Sequence, residues 1–265
     1  MKKNNILLGV RFAPILMALA ALCISAAAYE NNTSIVIESC HENSSYEEAI
    51  NVYDEILRMD PENANAWQYR GEALEMQGRL DEAKQSFEKA MEASSRTIEK
   101  DPKNVEALWQ KARSLQSLNR LEEAIGAFEQ ILVIDPGNAD AWVNKAFSLR
   151  CLKRYNESIE AYDKAIEMIP SNATARLIQA LELKAFVLRE SGRQEEAVKA
   201  YDKVIELDPK NVDAWVKKAG ALQKLGMQNE ANMTLYEATE IIKSNDLPSN
   251  WTKLVMPQIG AEGSA

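Results

Sequence analysis

The side chains that most often carry covalent or metal chemistry are scarce in this chain, and their spacing does not suit it. The one histidine, His41, follows Cys40 in a stretch rich in Ser and Asn, and the other cysteines are Cys23 and Cys151. A Cys-His pair with no further ligands nearby does not close a metal site, and three scattered cysteines make no zinc module. Cys151 ends a helical segment, where a packed or surface thiol is expected sooner than a nucleophile. No phosphate-cradling Gly-rich loop, G-x-S-x-G elbow or H-E-x-x-H occurs. The 40 Asp and Glu lie mostly on amphipathic segments, where acids form a solvated face. No catalytic residue, metal ligand or cofactor site is therefore assigned. What remains is the chemistry of binding.

The chain is long enough for a sizeable core: 265 residues, 46% apolar and 27% charged, which describes a globular protein. With 31 Lys and Arg against 40 acids the net charge is −9, the wrong sign for a phosphate-backbone footprint. Nucleic acid is not an expected partner.

The first 28 residues read as an export segment. Lys2, Lys3 and Arg11 make a basic start, and the apolar run Phe12 to Ala28 ends in Ser25-Ala26-Ala27-Ala28, acceptable to a signal peptidase. As helix the run spans roughly 26 Å, slightly short of the ~30 Å hydrocarbon core. A cleaved signal peptide, a retained N-terminal membrane anchor and lipidation at Cys23 all stay open, although Leu22 is large for a lipid-attachment site. Each would place the rest outside the cytoplasm, and membrane contact would run only through residues 1–28 if they are kept. A polar linker follows over 29–45. N-x-S/T sequons begin at Asn31, Asn32, Asn43, Asn156, Asn172, Asn232 and Asn250, an excess that suggests N-glycosylation. The same pattern also arises where helix starts are rich in Asn, Ser and Thr.

Elements that could position a binding surface repeat along the chain. Asp60-Pro61-x-Asn63-x-x-Ala66-Trp67 returns from Asp101 to Leu108, from Asp135 to Trp142 and from Asp208 to Trp215, with a weaker copy from Ile169 to Ala175. Successive prolines lie 41, 34, 34 and 39 residues apart. A period of 34 with helical patterning indicates stacked helical hairpins. Pro ends one helix and Asn caps the next. The first helix of each hairpin then carries Trp67, Gly71 and Leu74, or Trp142, Ala146 and Leu149, on one face. Gly78, Gly192 and Gly226 stand where a left-handed residue must end it, with Asn119 and Lys153 substituting. The second helix pairs a small residue with a larger one four positions on: Ala83 with Phe87, Ala124 with Phe128, Ser158 with Tyr162, Ala197 with Tyr201, Ala231 with Leu235.

This pattern, W-x-x-x-G/A-x-x-L…A-x-x-x-F/Y…D-P, resembles the tetratricopeptide repeat family. The resemblance implies an all-α fold, a right-handed superhelical solenoid of about five helix-turn-helix repeats over 63–103, 104–137, 138–171, 172–210 and 211–244. Residues 46–62 look like a further second helix that caps the array, and a partner for it around 33–44, with its Ile-Val-Ile run, is not expected to form. Two departures stand out. Seven extra residues in the first repeat lengthen its second helix by two turns without rotating its buried face. Five extra between Asn172 and Gly192 put the two ends about 140° out of phase, so either a bulge or an outward-facing first turn is needed. Over 245–265 the pattern stops; Trp251, Leu254 and Val255 could cap the last repeat, and the end reads as disordered.

Ligand binding in such a family is placed in the concave groove lined by the first helices. Here that stripe holds Gln68, Trp109, Val143 and Val216, just after the Trp slot, and Glu72, Arg113, Phe147 and Gly220 four positions later. The fourth repeat offers either Leu177 and Leu181 or Glu182 and Phe186. An aromatic and aliphatic groove suits an apolar or amphipathic peptide; equally, Trp109, Val143 and Phe147 could pack between hairpins. A carboxylate clamp of the kind that holds acidic chaperone tails is argued against, because Asn65, Glu106, Asp140, Thr174 and Asp213 occupy a position where such a clamp needs Lys. The expected function is a non-enzymatic scaffold for protein contacts outside the cytoplasm; the alternative is an assembly or trafficking factor for an envelope complex. The partner would be a protein or peptide.

Overall fold

The computed structural model describes residues 43–244, with side chains from Tyr46 onward. The export segment, most of the linker, Cys23, Cys40, His41, Asn31, Asn32, Asn250 and the C-terminal cap residues lie outside the described residues. Every regular element among the described residues is an α-helix, and none of these helices is long and apolar enough to cross a membrane. They fall into two compact units, one ending at Ile134 and the other beginning at Asp135.

The first unit contains α1 (Asn43–Met59), α2 (Ala64–Met76), α3 (Leu80–Lys100), α4 (Val105–Ser117) and α5 (Leu121–Ile134). Each packs on the next, and α2 also touches α4, so the first helices of neighbouring hairpins lie side by side. As a capping second helix should, α1 buries Tyr46, Ala49, Ile50, Tyr53, Ile56 and Leu57 against Leu74, Ala83 and Phe87. It starts at Asn43, so the end of the stretch that a partner helix would have used belongs to α1 itself. The extension of α3 behaves as its length requires. Ala83, Ser86 and Phe87 are buried, and so are Ala90, Ala93 and Ser94, each seven residues further on the same face.

The second unit contains α6 (Ala139–Cys151), α7 (Tyr155–Met168), α8 (Thr174–Glu190), α9 (Gln194–Leu207), α10 (Val212–Lys224) and α11 (Gln228–Ser244), again packed in chain order. The five-residue insertion resolves as an outward-facing first turn. In the continuous helix α8, Thr174, Ala175 and Arg176 are exposed, and the buried set begins at Ala180 and Leu181. Leu181, Ala185 and Leu188 thus take the places of Trp142, Ala146 and Leu149. The position tested for a clamp lysine in this repeat is consequently Gln179, not Thr174.

The corners explain the periodic signature. Asn63, Asn104, Asn138 and Asn211 each cap a helix, their side-chain oxygens accepting from the amides of Ala66, Ala107, Ala141 and Ala214 at 2.9–3.0 Å. Trp67, Trp142 and Trp215 are half-buried, and each indole N–H donates to the corner proline carbonyl, Pro61, Pro136 or Pro209, at 2.9–3.1 Å. The tryptophan is therefore both packing and latch. The weaker copy departs from this pattern: Asn172 does not cap α8, whose N-cap residue is Ala173 with no side-chain bond. Ile169 stands where the other corners have Asp, and it turns inward against Ala139 and Ala180. All five residues expected in the left-handed conformation adopt it, including Asn119 (φ 56°) and Lys153 (φ 60°).

Candidate functional site

The inner stripe takes a different character in each unit, because its residues meet different neighbours. In the first unit it is mostly tied up internally. Gln68 is 2% exposed; its amide donates to Glu72 and to Ser117 and accepts from Ser114, which bolts α2 to α4. Arg113 donates to Glu72 at 2.7 Å and to the Tyr69 hydroxyl at 3.3 Å, with its guanidinium 5.1 Å from the centre of the Tyr69 ring. Burial pulls the Arg113 pKa down, but the Glu72 charge and the Tyr69 hydroxyl outweigh it and leave it above the ordinary value. Trp109 is half-buried and packs edge-on against Phe128, 5.3 Å between ring centres, inside its own hairpin. Four side chains expected in a groove are thus largely engaged in holding hairpins together.

The second unit leaves its stripe more open. Phe147 and Phe186, at equivalent positions of α6 and α8, are each 39% exposed. Between them sits Arg150, its guanidinium carbon 5.1 Å from one ring centre and 5.2 Å from the other, donating to Glu190 at 3.4 Å. Two aromatic faces around a cation are mutually attractive, each contact worth about 0.5–1 kcal/mol at a partly exposed site. The arrangement braces both rings, which remain partly exposed. Val143 is half-buried on the same helix as Phe147, and Val216 is half-buried against the cluster of the last hairpin. Acids along this stripe already have partners: Asp140 pairs with Arg176, Glu182 accepts from Asn211, and Asp213 pairs with Lys217.

Arg150 was not singled out by sequence, although a readable signal existed, since it lies three residues after Phe147 on one helix face. A second missed pattern is a ladder between hairpins. Arg70, Lys184 and Lys218, three residues after the Trp slot, pair with Asp54, Asp163 and Asp202 at 2.5–2.7 Å. Each of these acids directly follows a buried tyrosine of the preceding second helix, Tyr53, Tyr162 or Tyr201. Among the described residues no group of three His, Cys, Asp or Glu could hold a metal ion, and Cys151 is exposed.

Comparison with known proteins agrees with this architecture. Family models described as tetratricopeptide repeat match residues 42–96, 85–139 and 139–172, and one described as TPR repeat matches 187–226. No curated protein matches the chain. Among solved structures, one of PilW, titled a widely conserved type IV pilus biogenesis factor, aligns at 18% identity and a TM-score of 0.60, covering 92% of this chain and 98% of that one. Two structures of MamA align at 22% and 21% identity with TM-scores of 0.54 and 0.53, covering 66% and 70% of this chain and 96% and 95% of theirs. Asn caps at the corners, Trp latches and small-to-aromatic packing recur where the family models match, and the chain belongs to the tetratricopeptide repeat family.

Proposed function

We propose that this chain is a non-enzymatic scaffold acting outside the cytoplasm, and that a partner protein docks an apolar segment on the stripe of first helices in the second unit. The repeat fold is a protein-interaction fold, which supports the general class. One observation carries the specific reading: Phe147 and Phe186 present half-exposed rings from successive first helices, braced by Arg150. Preorganised aromatic surface binds with little entropy lost on contact. The scarcity of His and Cys supports the absence of catalysis, and the basic-then-apolar N-terminal run supports export.

The test is affinity capture from membrane and soluble fractions with the intact protein and a Phe147→Ala, Phe186→Ala double variant. The expected result is one stoichiometric partner whose binding weakens by about tenfold or more in the variant. Capture of that partner with unchanged affinity would sink the assignment of this stripe. A second reading, an assembly or trafficking factor for an envelope complex, draws on the fold shared with a pilus biogenesis factor over nearly the whole chain. Binding of many unrelated apolar peptides with similar affinity would favour it over the single-partner scaffold.

A further inference from the structure

Three sequons have their side chains among the described residues, and the fold treats them very differently. Asn156 lies in the first turn of α7, and its sequon hydroxyl, Ser158, is fully buried and donates to the Ala146 carbonyl at 2.7 Å. Asn232 is half-buried within α11 and accepts from Gln228; its sequon hydroxyl, Thr234, is buried and donates to the Glu230 carbonyl at 2.8 Å. In both, the helix holds the asparagine and the hydroxyl is already committed. At Asn172-Ala173-Thr174 the asparagine and the threonine are both exposed; Asn172 lies in the turn before α8 and Thr174 is the first residue of that helix.

The reason lies in the irregular corner. Asn63, Asn104, Asn138 and Asn211 spend their side chains on capping, and none of them begins a sequon. With Ile169 in place of Asp and Ala173 at the N-cap, the fourth corner releases Asn172 from that task. Its carboxamide is left exposed to solvent, where an enzyme can reach it.

We propose that Asn172 is the N-glycosylation site of the folded repeat region, with Thr174 as its recognition hydroxyl; this rests on the reading that the chain is exported. In the transfer, the Asn172 amide nitrogen attacks the anomeric carbon of a sugar carried on a lipid phosphate or pyrophosphate. The new carbon–nitrogen bond forms as the anomeric carbon–oxygen bond breaks; the lipid phosphate leaves with that electron pair, and the nitrogen gives up one proton to a base of the transferase. Donor and enzyme come from the export machinery, and the chain supplies only the acceptor.

The experiment offers the folded full chain to a purified oligosaccharyltransferase with a lipid-pyrophosphate-linked oligosaccharide, followed by tryptic mapping. The expected result is glycan on peptide 165–176, lost in Asn172→Gln and in Thr174→Ala, with Asn156 and Asn232 accepting sugar only after unfolding in urea. Because Asn172 caps nothing, Asn172→Gln should keep the helical circular dichroism of the parent. No transfer to peptide 165–176 in the folded chain would overturn the proposal. The same mapping on protein from its own cells separates the two readings. A bare Asn172 beside glycan at Asn31, Asn32 or Asn250 would overturn the site and leave export standing. Bare sequons throughout would overturn the proposal, while export is read separately from cleavage or membrane retention of residues 1–28 in the same protein.

Discussion

Gly71 on α2 faces the ring of Phe87 on α3 so closely that a Cβ at position 71 would stand 2.4 Å from Cε1 and 2.6 Å from Cδ1. Phe87 is 3% exposed and lies in the core cluster with Leu74 and Tyr53, so the ring has nowhere to retreat. Glycine costs its helix about 1 kcal/mol relative to alanine. That cost is offset because the missing methyl lets the two helices of the hairpin close together. Gly71→Ala is expected to destabilise the first unit by roughly 1–3 kcal/mol in spite of its better helix propensity. Phe87→Leu in the same chain should recover part of the loss, and chemical denaturation of the two single variants and the double variant reads the coupling.

The corner asparagines separate capping from mere sequence likeness. Asn138→Ala removes the acceptor for the Ala141 amide and is expected to cost about 1 kcal/mol. Asn172→Ala removes no cap and should change stability by no more than about 0.5 kcal/mol. Equal losses in thermal melts of the two variants would contradict the cap assignment.

Lys153 holds φ 60° at the end of α6, where Gly78, Gly192 and Gly226 serve the corresponding hairpins. A left-handed residue with a Cβ costs about 1–2 kcal/mol, partly offset by glycine's greater loss of chain entropy. Lys153→Gly is therefore expected to stabilise the second unit by up to about 1 kcal/mol. Asn119→Gly should gain less, since asparagine tolerates this conformation well. Denaturant midpoints check both.

Tyr162 is fully buried, and its hydroxyl has no hydrogen-bond partner among the described residues. Burial pushes its pKa up to about 12, against the neighbouring positive charge of Arg150, which acts the other way. An unfolded tyrosine ionises near pH 10. Keeping the hydroxyl neutral therefore costs nothing below about pH 10, and the folded state loses stability as pH climbs from about 10 through 12, where the unfolded chain releases its proton first. Tyr162→Phe should flatten that alkaline loss. At neutral pH it should leave stability unchanged or raise it by up to about 1 kcal/mol, because an unpaired buried hydroxyl is removed. Unfolding measured from pH 7 to 12 for both proteins checks the sign.

Much of the fold was legible before any coordinates because its rules act over short stretches of chain. Asn at a corner caps the amide three residues on, a left-handed residue ends a first helix one or two positions past its last turn, and seven added residues return a helix to its starting face. Each is set by local backbone geometry. Hence the hairpins, the glycine positions and the long α3 could be read from spacing alone. The register of α8 could not, since Leu177 with Leu181 and Glu182 with Phe186 both satisfy the local pattern for the stripe, and only packing against its neighbours puts Leu181, Ala185 and Leu188 inward. The same limit applied to the inner stripe. Gln68, Glu72 and Arg113 occupy groove positions in sequence, yet residues more than 40 positions away consume their polar groups, while Phe147 and Phe186 keep open faces because Arg150 reaches between them. Whether a side chain is spent on its own protein or left for a partner depends on which atoms arrive beside it, and that is decided only when distant helices meet.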